Sequence, residues 1–282
     1  MKYDITNDKI TIFGKDDFDP QHILECGQIF RYKKVGEKEY VVFSSDKMAR
    51  ILETENGFEI LTDDTRYFEN FFDLKTDYSN IKKALSSQNL TLKNATEFGR
   101  GIRILNQEPF ETTISFIISA NNNIKRIQSL VEKLSNACGQ DKGSFHAFPS
   151  AKELCTLSVD DLKNLGMGFR AKYIFDTAKA LCGVNLEEYR NFDTQKLLER
   201  LLTLQGVGPK VADCIALFAY HKMDCFPVDT WVEKIYNSYF STKPETNRSL
   251  IRKNLVSQFG NLSGYAQQYL FYFKRELDRN SK

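Results

Sequence analysis

The chain is poor in the groups that build metal and disulfide frameworks: 282 residues hold three histidines, six cysteines and no Cys-x-x-Cys pair. Thiols scattered in this way argue against a zinc site and a disulfide-stapled fold, and they fit a reducing compartment. No run of about 18 apolar residues occurs, and the charged start Met1-Lys2-Tyr3-Asp4 lacks the apolar stretch of a signal peptide. A soluble, intracellular protein with no membrane partner is expected, cytoplasmic and nucleoid-associated if the source is prokaryotic. An excess of one charge is also missing, since 39 Lys and Arg face 37 Asp and Glu for a net +2. That balance excludes both an acidic solvating tail and a strongly basic nucleic-acid coat. What is present is 41% apolar residues, enough to build a sizeable core.

The charge is unevenly placed. Residues 1–100 hold 15 basic and 18 acidic side chains, and residues 101–282 hold 24 and 19, so the basic surplus belongs to the later two thirds. The pattern of apolar residues changes along the same axis. Tyr40–Ser44, Ala49–Glu53 and Phe58–Leu61 are short β-prone runs, the last two separated by Glu55-Asn56-Gly57, whose Asn-Gly pair signals a hairpin. From about residue 65 the spacing becomes helical: Phe68, Phe71 and Phe72, then Ile81 and Leu85, and later Ile124, Ile127, Leu130, Val131 and Leu134. An α+β fold follows, with an N-terminal antiparallel β-sheet domain (1–105) packed on a mostly α-helical body (106–282), part of which the segment before 106 can supply.

The chemistry concentrates between residues 193 and 240. Asp193 can cap a helix carrying Leu197, Leu198 and Leu201, which leads into Gln205-Gly206-Val207-Gly208-Pro209-Lys210 and a second helix carrying Val211, Cys214 and Phe218. The glycines permit a tight turn, Pro209 suits the first helical position, and free amides of the next turn form an anion site. The same pattern also fits an ordinary glycine turn between packed helices. Lys210 argues against that, because a cation in the first turn opposes the helix dipole, whereas an amine needed neutral gains from it. Such an amine suits Schiff-base chemistry. Asp229 follows 19 residues later; a twelve-residue helix rises roughly 18 Å and the eight residues after it can extend about 26 Å, so the chain can return to Lys210. Asp229 also suits a helix N-cap, and Thr230 with Glu233 a capping box.

Leu204-Gln205-Gly206-Val207-Gly208-Pro209-Lys210-Val211-Ala212-Asp213-Cys214 followed by Pro227-Val228-Asp229 resembles the helix-hairpin-helix, Gly/Pro-rich and Asp motif of the DNA glycosylase superfamily (HhH-GPD). The Lys marks its bifunctional branch, and Val-Ala-Asp-Cys is similar to the eukaryotic-type 8-oxoguanine DNA glycosylases. Distant segments carry the same resemblance. Cys26-Gly27-Gln28-Ile29-Phe30-Arg31 is similar to the element whose Gly carbonyl accepts the N7 hydrogen that 8-oxoguanine has and guanine lacks; read alone, Gly27 is a turn glycine. Gly264-Tyr265-Ala266-Gln267-Gln268-Tyr269-Leu270-Phe271 resembles the element in which a Gln reads the Watson–Crick edge and a Phe stacks on the base, although Phe271 alone reads as core. Asn121-Asn122-Asn123-Ile124-Lys125-Arg126 and Gly166-Met167-Gly168-Phe169-Arg170 resemble the loops that fill the gap left by a flipped base and contact the orphaned cytosine; an Asn run is also a common turn.

The resemblance implies a bifunctional repair enzyme with Lys210 as nucleophile and Asp229 as its charge-stabilising partner. Gly27, Gln267, Phe271, Cys214 and Phe218 would recognise the base, and Asn121, Arg126, Phe169, Arg170, Gly206, Gly208, Val211 and Trp231 would meet the duplex. Its partner would be double-stranded DNA containing 8-oxoguanine, preferably opposite cytosine, bound by a monomer with no metal or organic cofactor. Three positions depart from the family: Phe169 replaces Tyr, Phe218 replaces Met, and Trp231 replaces a His, so phosphate binding near the lesion must be arranged differently. An iron–sulfur cluster is excluded, because no four-Cys run follows the motif. The alternatives are a bifunctional glycosylase for another damaged base, which has no need of Gly27 and Gln267, and a noncatalytic helix-hairpin-helix DNA-binding protein, which has no need of Lys210 with Asp229.

Overall fold

Alternating apolar residues build the first layer. In the computed structural model, which describes residues 1–280, it consists of β1 (Lys2–Ile5), β2 (Lys9–Phe13), β3 (Tyr32–Gly36), β4 (Glu39–Ser44), β5 (Lys47–Thr54) and β6 (Gly57–Leu61). All neighbours are antiparallel, in the order β1-β2-β6-β5-β4-β3. Ile10 and Ile12, Tyr40 and Val42, Ala49 and Ile51, and Phe58 and Ile60 are the buried alternate positions of the four inner strands. The two edge strands β1 and β3 are mostly exposed and carry no such alternation, which is why the apolar pattern did not mark them. The β5–β6 hairpin turns on Glu55-Asn56 rather than on Asn-Gly, because Gly57 pairs with Thr54 on one side and Phe13 on the other.

Helices supply the rest: α1 (Pro20–Leu24), α2 (Thr65–Phe71), α3 (Tyr78–Ser86), α4 (Leu90–Phe98), α5 (Pro109–Ser119), α6 (Ile124–Cys138) and α7 (Ala151–Leu154). They continue with α8 (Val159–Asn164), α9 (Arg170–Leu181), α10 (Thr194–Leu201), α11 (Pro209–Tyr220), α12 (Thr230–Tyr239), α13 (Arg248–Phe259) and α14 (Ser263–Asn280). Among the described residues no helix is long and apolar enough to cross a membrane. Many starts are set by local chemistry: Asp77, Asn89, Asn123, Asp193 and Asn247 each accept a first-turn amide with their side chains. α11 is the central rod, with every residue from Val211 to Tyr220 buried, and it packs on α5 and α10.

Two apolar cores form, and the border does not follow chain order. The sheet core takes Phe18, Ile23, Leu24, Phe68, Phe71, Phe72 and Leu105, whereas Leu85, Leu92 and Ala95 of α3 and α4 join the helical core. Buried polar groups tie the two together. Arg103 donates Nε to the Phe72 carbonyl oxygen at 2.9 Å and Nη1 to that of Asp17 at 3.0 Å, and also reaches the carbonyls of Asp73 and Thr76. Gln28 donates to the carbonyl oxygens of Ile23 (2.9 Å) and Arg103 (2.8 Å) and accepts from the Leu105 amide (2.9 Å). Satisfied buried networks of this kind specify one arrangement, since breaking any member strands a desolvated group.

A second junction sits at Arg31. Its Nε donates to Glu132 Oε1 at 3.1 Å and its Nη2 to the His146 carbonyl oxygen at 2.7 Å, while Glu111 lies 3.8 Å from Nη1 and accepts the Ser45 amide at 2.6 Å. Burial pushes the Glu111 carboxyl up from 4.5 to about 7, with Arg31 opposing the shift and the nearby Glu108 and Glu132 adding to it. The folded state therefore holds a proton that the unfolded chain has released, and stability falls as pH rises through the window from 4.5 to about 7. Glu111→Gln is expected to flatten this fall in the thermal midpoint; an equally steep fall in the variant would refute the assignment.

Candidate active site

The start of α11 places Lys210. Gly208 is the N-cap and offers no side chain, Pro209 occupies the first helical position, and Lys210 follows it, half-buried, with Nζ 5.2 Å from the Phe116 ring centre on α5. Thus the amides of Lys210 and Val211 start the helix without a side-chain acceptor, an arrangement that favours an anion. Gly206 has φ +81, and a Cβ there would stand 2.8 Å from Cβ of Tyr173 on α9, so the hairpin is pressed against a neighbouring helix and only glycine fits. Cys214 lies one turn beyond Lys210, fully enclosed; burial pushes its thiol up to about 11, with the Lys210 charge opposing, so it is a neutral thiol at physiological pH. Phe218 is one further turn on and stacks on Phe116 at 5.6 Å, behind the ring that faces the amine.

Asp229 is the N-cap of α12, and its Oδ1 accepts the amides of Trp231 and Val232, both at 2.9 Å. One carboxylate oxygen holds the helix start, leaving Oδ2 available for another partner. The capping box of Thr230 with Glu233 does not form; Glu233 pairs instead with Arg248 at 2.8 Å.

The return of the chain brings these groups to one cleft of about 670 Å³, whose lining includes Gly27, Lys210, Asp229, Trp231 and Phe271. Gly27 has φ +89, and a Cβ on it would stand 3.4 Å from the Phe271 ring and 3.2 Å from Nη1 of Arg275. Its strap is pinned to α14 by Gln268, whose Nε2 donates to the Cys26 carbonyl oxygen at 3.0 Å. Gln267 is buried on the same helix and is not among the lining residues; its Oε1 has no hydrogen-bond partner among the described residues.

The remaining expected residues lie outside the cleft: Cys214 and Phe218 are buried in α11, and the others sit on neighbouring loops and helix starts. Asn121 is exposed with φ +50, Arg126 is exposed in the first turn of α6, and Phe169 is 58% exposed at the start of α9. Arg170 is buried: Nε donates to the Ala120 carbonyl oxygen at 2.8 Å, Nη2 to those of Ala120 and Asn121, so it braces the Asn loop. Like α11, α9 begins without a side-chain cap. Sequence reasoning missed Phe30, Tyr32, Phe116, Lys125 and Arg275, which also line the cleft. Phe30 lies in the 26–31 segment, Lys125 lies in the 121–126 segment, and Arg275 stands at helical spacing from Phe271; Phe116 is identified only by the packing of α5 on α11.

Residues 10–113 match the family described as 8-oxoguanine DNA glycosylase, N-terminal domain, and residues 114–259 match the HhH-GPD superfamily base excision DNA repair protein family. The N-glycosylase/DNA lyase of Saccharomyces cerevisiae is 31% identical over an alignment covering 89% of this chain and 81% of its own. A probable N-glycosylase/DNA lyase of Methanothermobacter thermautotrophicus is 33% identical, covering 75% of this chain and 76% of its own. The Clostridium acetobutylicum 8-oxoguanine glycosylase/lyase, solved with double-stranded DNA containing cytosine opposite 8-oxoguanine, superposes with a TM-score of 0.90 at 36% identity and 99% coverage of both chains. The chain therefore belongs to the 8-oxoguanine DNA glycosylase family, within the HhH-GPD superfamily of base excision DNA repair proteins.

Proposed function

We propose that this chain flips 8-oxoguanine out of duplex DNA, cuts its glycosidic bond through a Lys210 Schiff base and nicks the strand by β-elimination. The observation that carries this function is the shared cleft: Gly27, Lys210, Asp229 and Phe271 come from four distant segments and line one cavity. The Lys210 nitrogen forms a bond to C1′ as the electrons of the C1′–N9 bond leave with the base, which takes up a proton. Asp229 accepts the proton that the amine loses and faces the positive charge that builds on the sugar. Ring opening yields the Schiff base, and loss of a C2′ proton then expels the 3′ phosphate. These steps call for no metal or organic cofactor.

Base recognition falls to Gly27 for N7–H, Phe271 for stacking and Gln267 for the Watson–Crick edge. Cys214 supplies the opposite wall, with Phe218 behind Phe116. On the duplex side, the Gly206-Val207-Gly208 hairpin and the Val211 amide hold phosphate, and Trp231 packs beside it where the family usually has a polar side chain. Asn121 and Phe169 fill the gap in the stack. Arg126, exposed, and Arg170, which holds the loop, favour a cytosine as the orphaned partner. We also propose that the protein acts as a monomer inside the cell, in the nucleoid-associated cytoplasm if prokaryotic. Its division falls at residues 105 and 106, with α3 and α4 counted in the helical body.

Two outcomes test this function. A cleavage panel with 8-oxoguanine opposite each of the four bases is expected to show the fastest nicking opposite cytosine; equal rates opposite all four would contradict the roles of Arg126 and Arg170. Gly27→Ala introduces a Cβ at φ +89 against the Phe271 ring, so the preference for 8-oxoguanine over guanine is expected to drop by an order of magnitude or more. A variant with wild-type preference would remove Gly27 from lesion reading.

A further inference from the structure

We propose that Arg275 reads the C8 oxygen of the lesion, the acceptor atom that 8-oxoguanine has and guanine lacks. This deepens the function above and rests on its placement of the base against Phe271. Arg275 lies on α14 one turn beyond Phe271 and two beyond Gln267, so the three side chains form one stripe of the helix. Its guanidinium is anchored from one side: Nη2 donates to the Glu25 carbonyl oxygen, and Nε donates to Glu276 Oε1 at 3.0 Å. The side chain is only 9% exposed, and its buried Nη1 has no hydrogen-bond partner among the described residues. A guanidinium has five N–H donors in a rigid planar fork, and leaving two of them desolvated and unpaired costs free energy that an arriving acceptor recovers.

The direction of the free nitrogen is set by its neighbours. Nη1 stands 3.2 Å from the point where a Cβ on Gly27 would lie, the Phe271 ring stands 3.4 Å from that same point, and all three residues line the cleft with Lys210 and Asp229. The ring and the guanidinium therefore stand together beside Gly27, with the guanidinium carbon 5.6 Å from the Phe271 ring centre. A purine fits along this stripe. Its Watson–Crick edge and its C8 position lie at opposite ends, and N7 sits between O6 and C8 on the remaining edge. With the base against Phe271 and its Watson–Crick edge toward Gln267, the C8 end points along α14 toward Arg275, and N7 falls in between, at Gly27.

The chemical consequence is a double check on the lesion. 8-Oxoguanine offers N7–H to the Gly27 carbonyl and O8 to Nη1, a charge-assisted hydrogen bond. Guanine offers a lone pair to the carbonyl and a C–H to the guanidinium, so two buried groups stay unpaired. Sites that leave their own polar groups unpaired reject the wrong substrate far more strongly than sites that merely lose a contact.

The test compares wild type, Arg275→Leu and Arg275→Lys under single-turnover conditions, on duplexes with 8-oxoguanine or 8-thioguanine opposite cytosine and on a preformed abasic site. 8-Thioguanine keeps N7–H but carries a poor acceptor on C8. In Arg275→Leu, release of 8-oxoguanine relative to abasic-site cleavage is expected to fall roughly ten- to a hundred-fold. The wild-type preference for the oxo over the thio base collapses with it, and Arg275→Lys restores part of both. Equal losses on 8-oxoguanine release and abasic-site cleavage, or an unchanged oxo-to-thio preference, would overturn the proposal and leave Arg275 a structural anchor. A wild-type enzyme that cleaves the abasic site but releases no 8-oxoguanine would instead overturn the function on which the proposal rests.

Discussion

The burial of α11 is the constraint on which the site depends. A helix enclosed from Val211 to Tyr220 cannot rotate or slide without moving the helical core, so the residue one position in from its start has a fixed place. Asp213 reinforces this from inside: its Oδ2 and Oδ1 accept Nε and Nη2 of Arg252 at 2.6 and 2.7 Å, tying α11 to α13 in a bidentate pair. Lys210 then sits where a cation opposes the helix dipole, at a cost of about 0.3–1 kcal/mol. The Phe116 ring, 5.2 Å away, faces it in return. A lysine held in this way, with a carboxylate-capped helix start on the same cleft, is poorly explained as a surface residue.

The second half of the cleft hangs on a strap rather than a rod. Residues 25–31 cross between the two cores, and Gln28 and Arg31 are buried to hold them, the first against the 103–105 segment and the second against Glu132 and the His146 carbonyl. Gln268 and Arg275 fasten the same strap to α14 through the carbonyls of Cys26 and Glu25. The Gly-Gln-x-Phe-Arg element thus combines two residues that line the cleft, Gly27 and Phe30, with two that hold them there. Proposed lesion reading and proposed chemistry are coupled because α14 and α11 belong to one core.

Much of this was legible in the chain because local chemistry repeats it. Asp193 and Pro209 mark helix starts that the structure has, and Gly206 marks a turn that presses on Tyr173. The net charge of +2, uninformative as a total, concealed a basic surplus beyond residue 100, which is where the uncapped starts of α9 and α11 lie. Other features lacked a local signature. β1 and β3 are exposed edges with no apolar alternation, Phe116 is one of many buried aromatics until α5 is seen against α11, and Arg275 reads as one more charge on a C-terminal helix. Its burial and its approach to Gly27 depend on residues about 250 positions away.

The proposed chemistry requires the Lys210 amine to form the covalent link to the sugar. Borohydride reduction of the protein incubated with an 8-oxoguanine duplex, followed by peptide mapping of the trapped adduct, tests it directly. Wild type is expected to give an adduct carried by Lys210, and Lys210→Gln none. An adduct on Lys125, the other lysine lining the cleft among the described residues, or one that persists in Lys210→Gln, would contradict it.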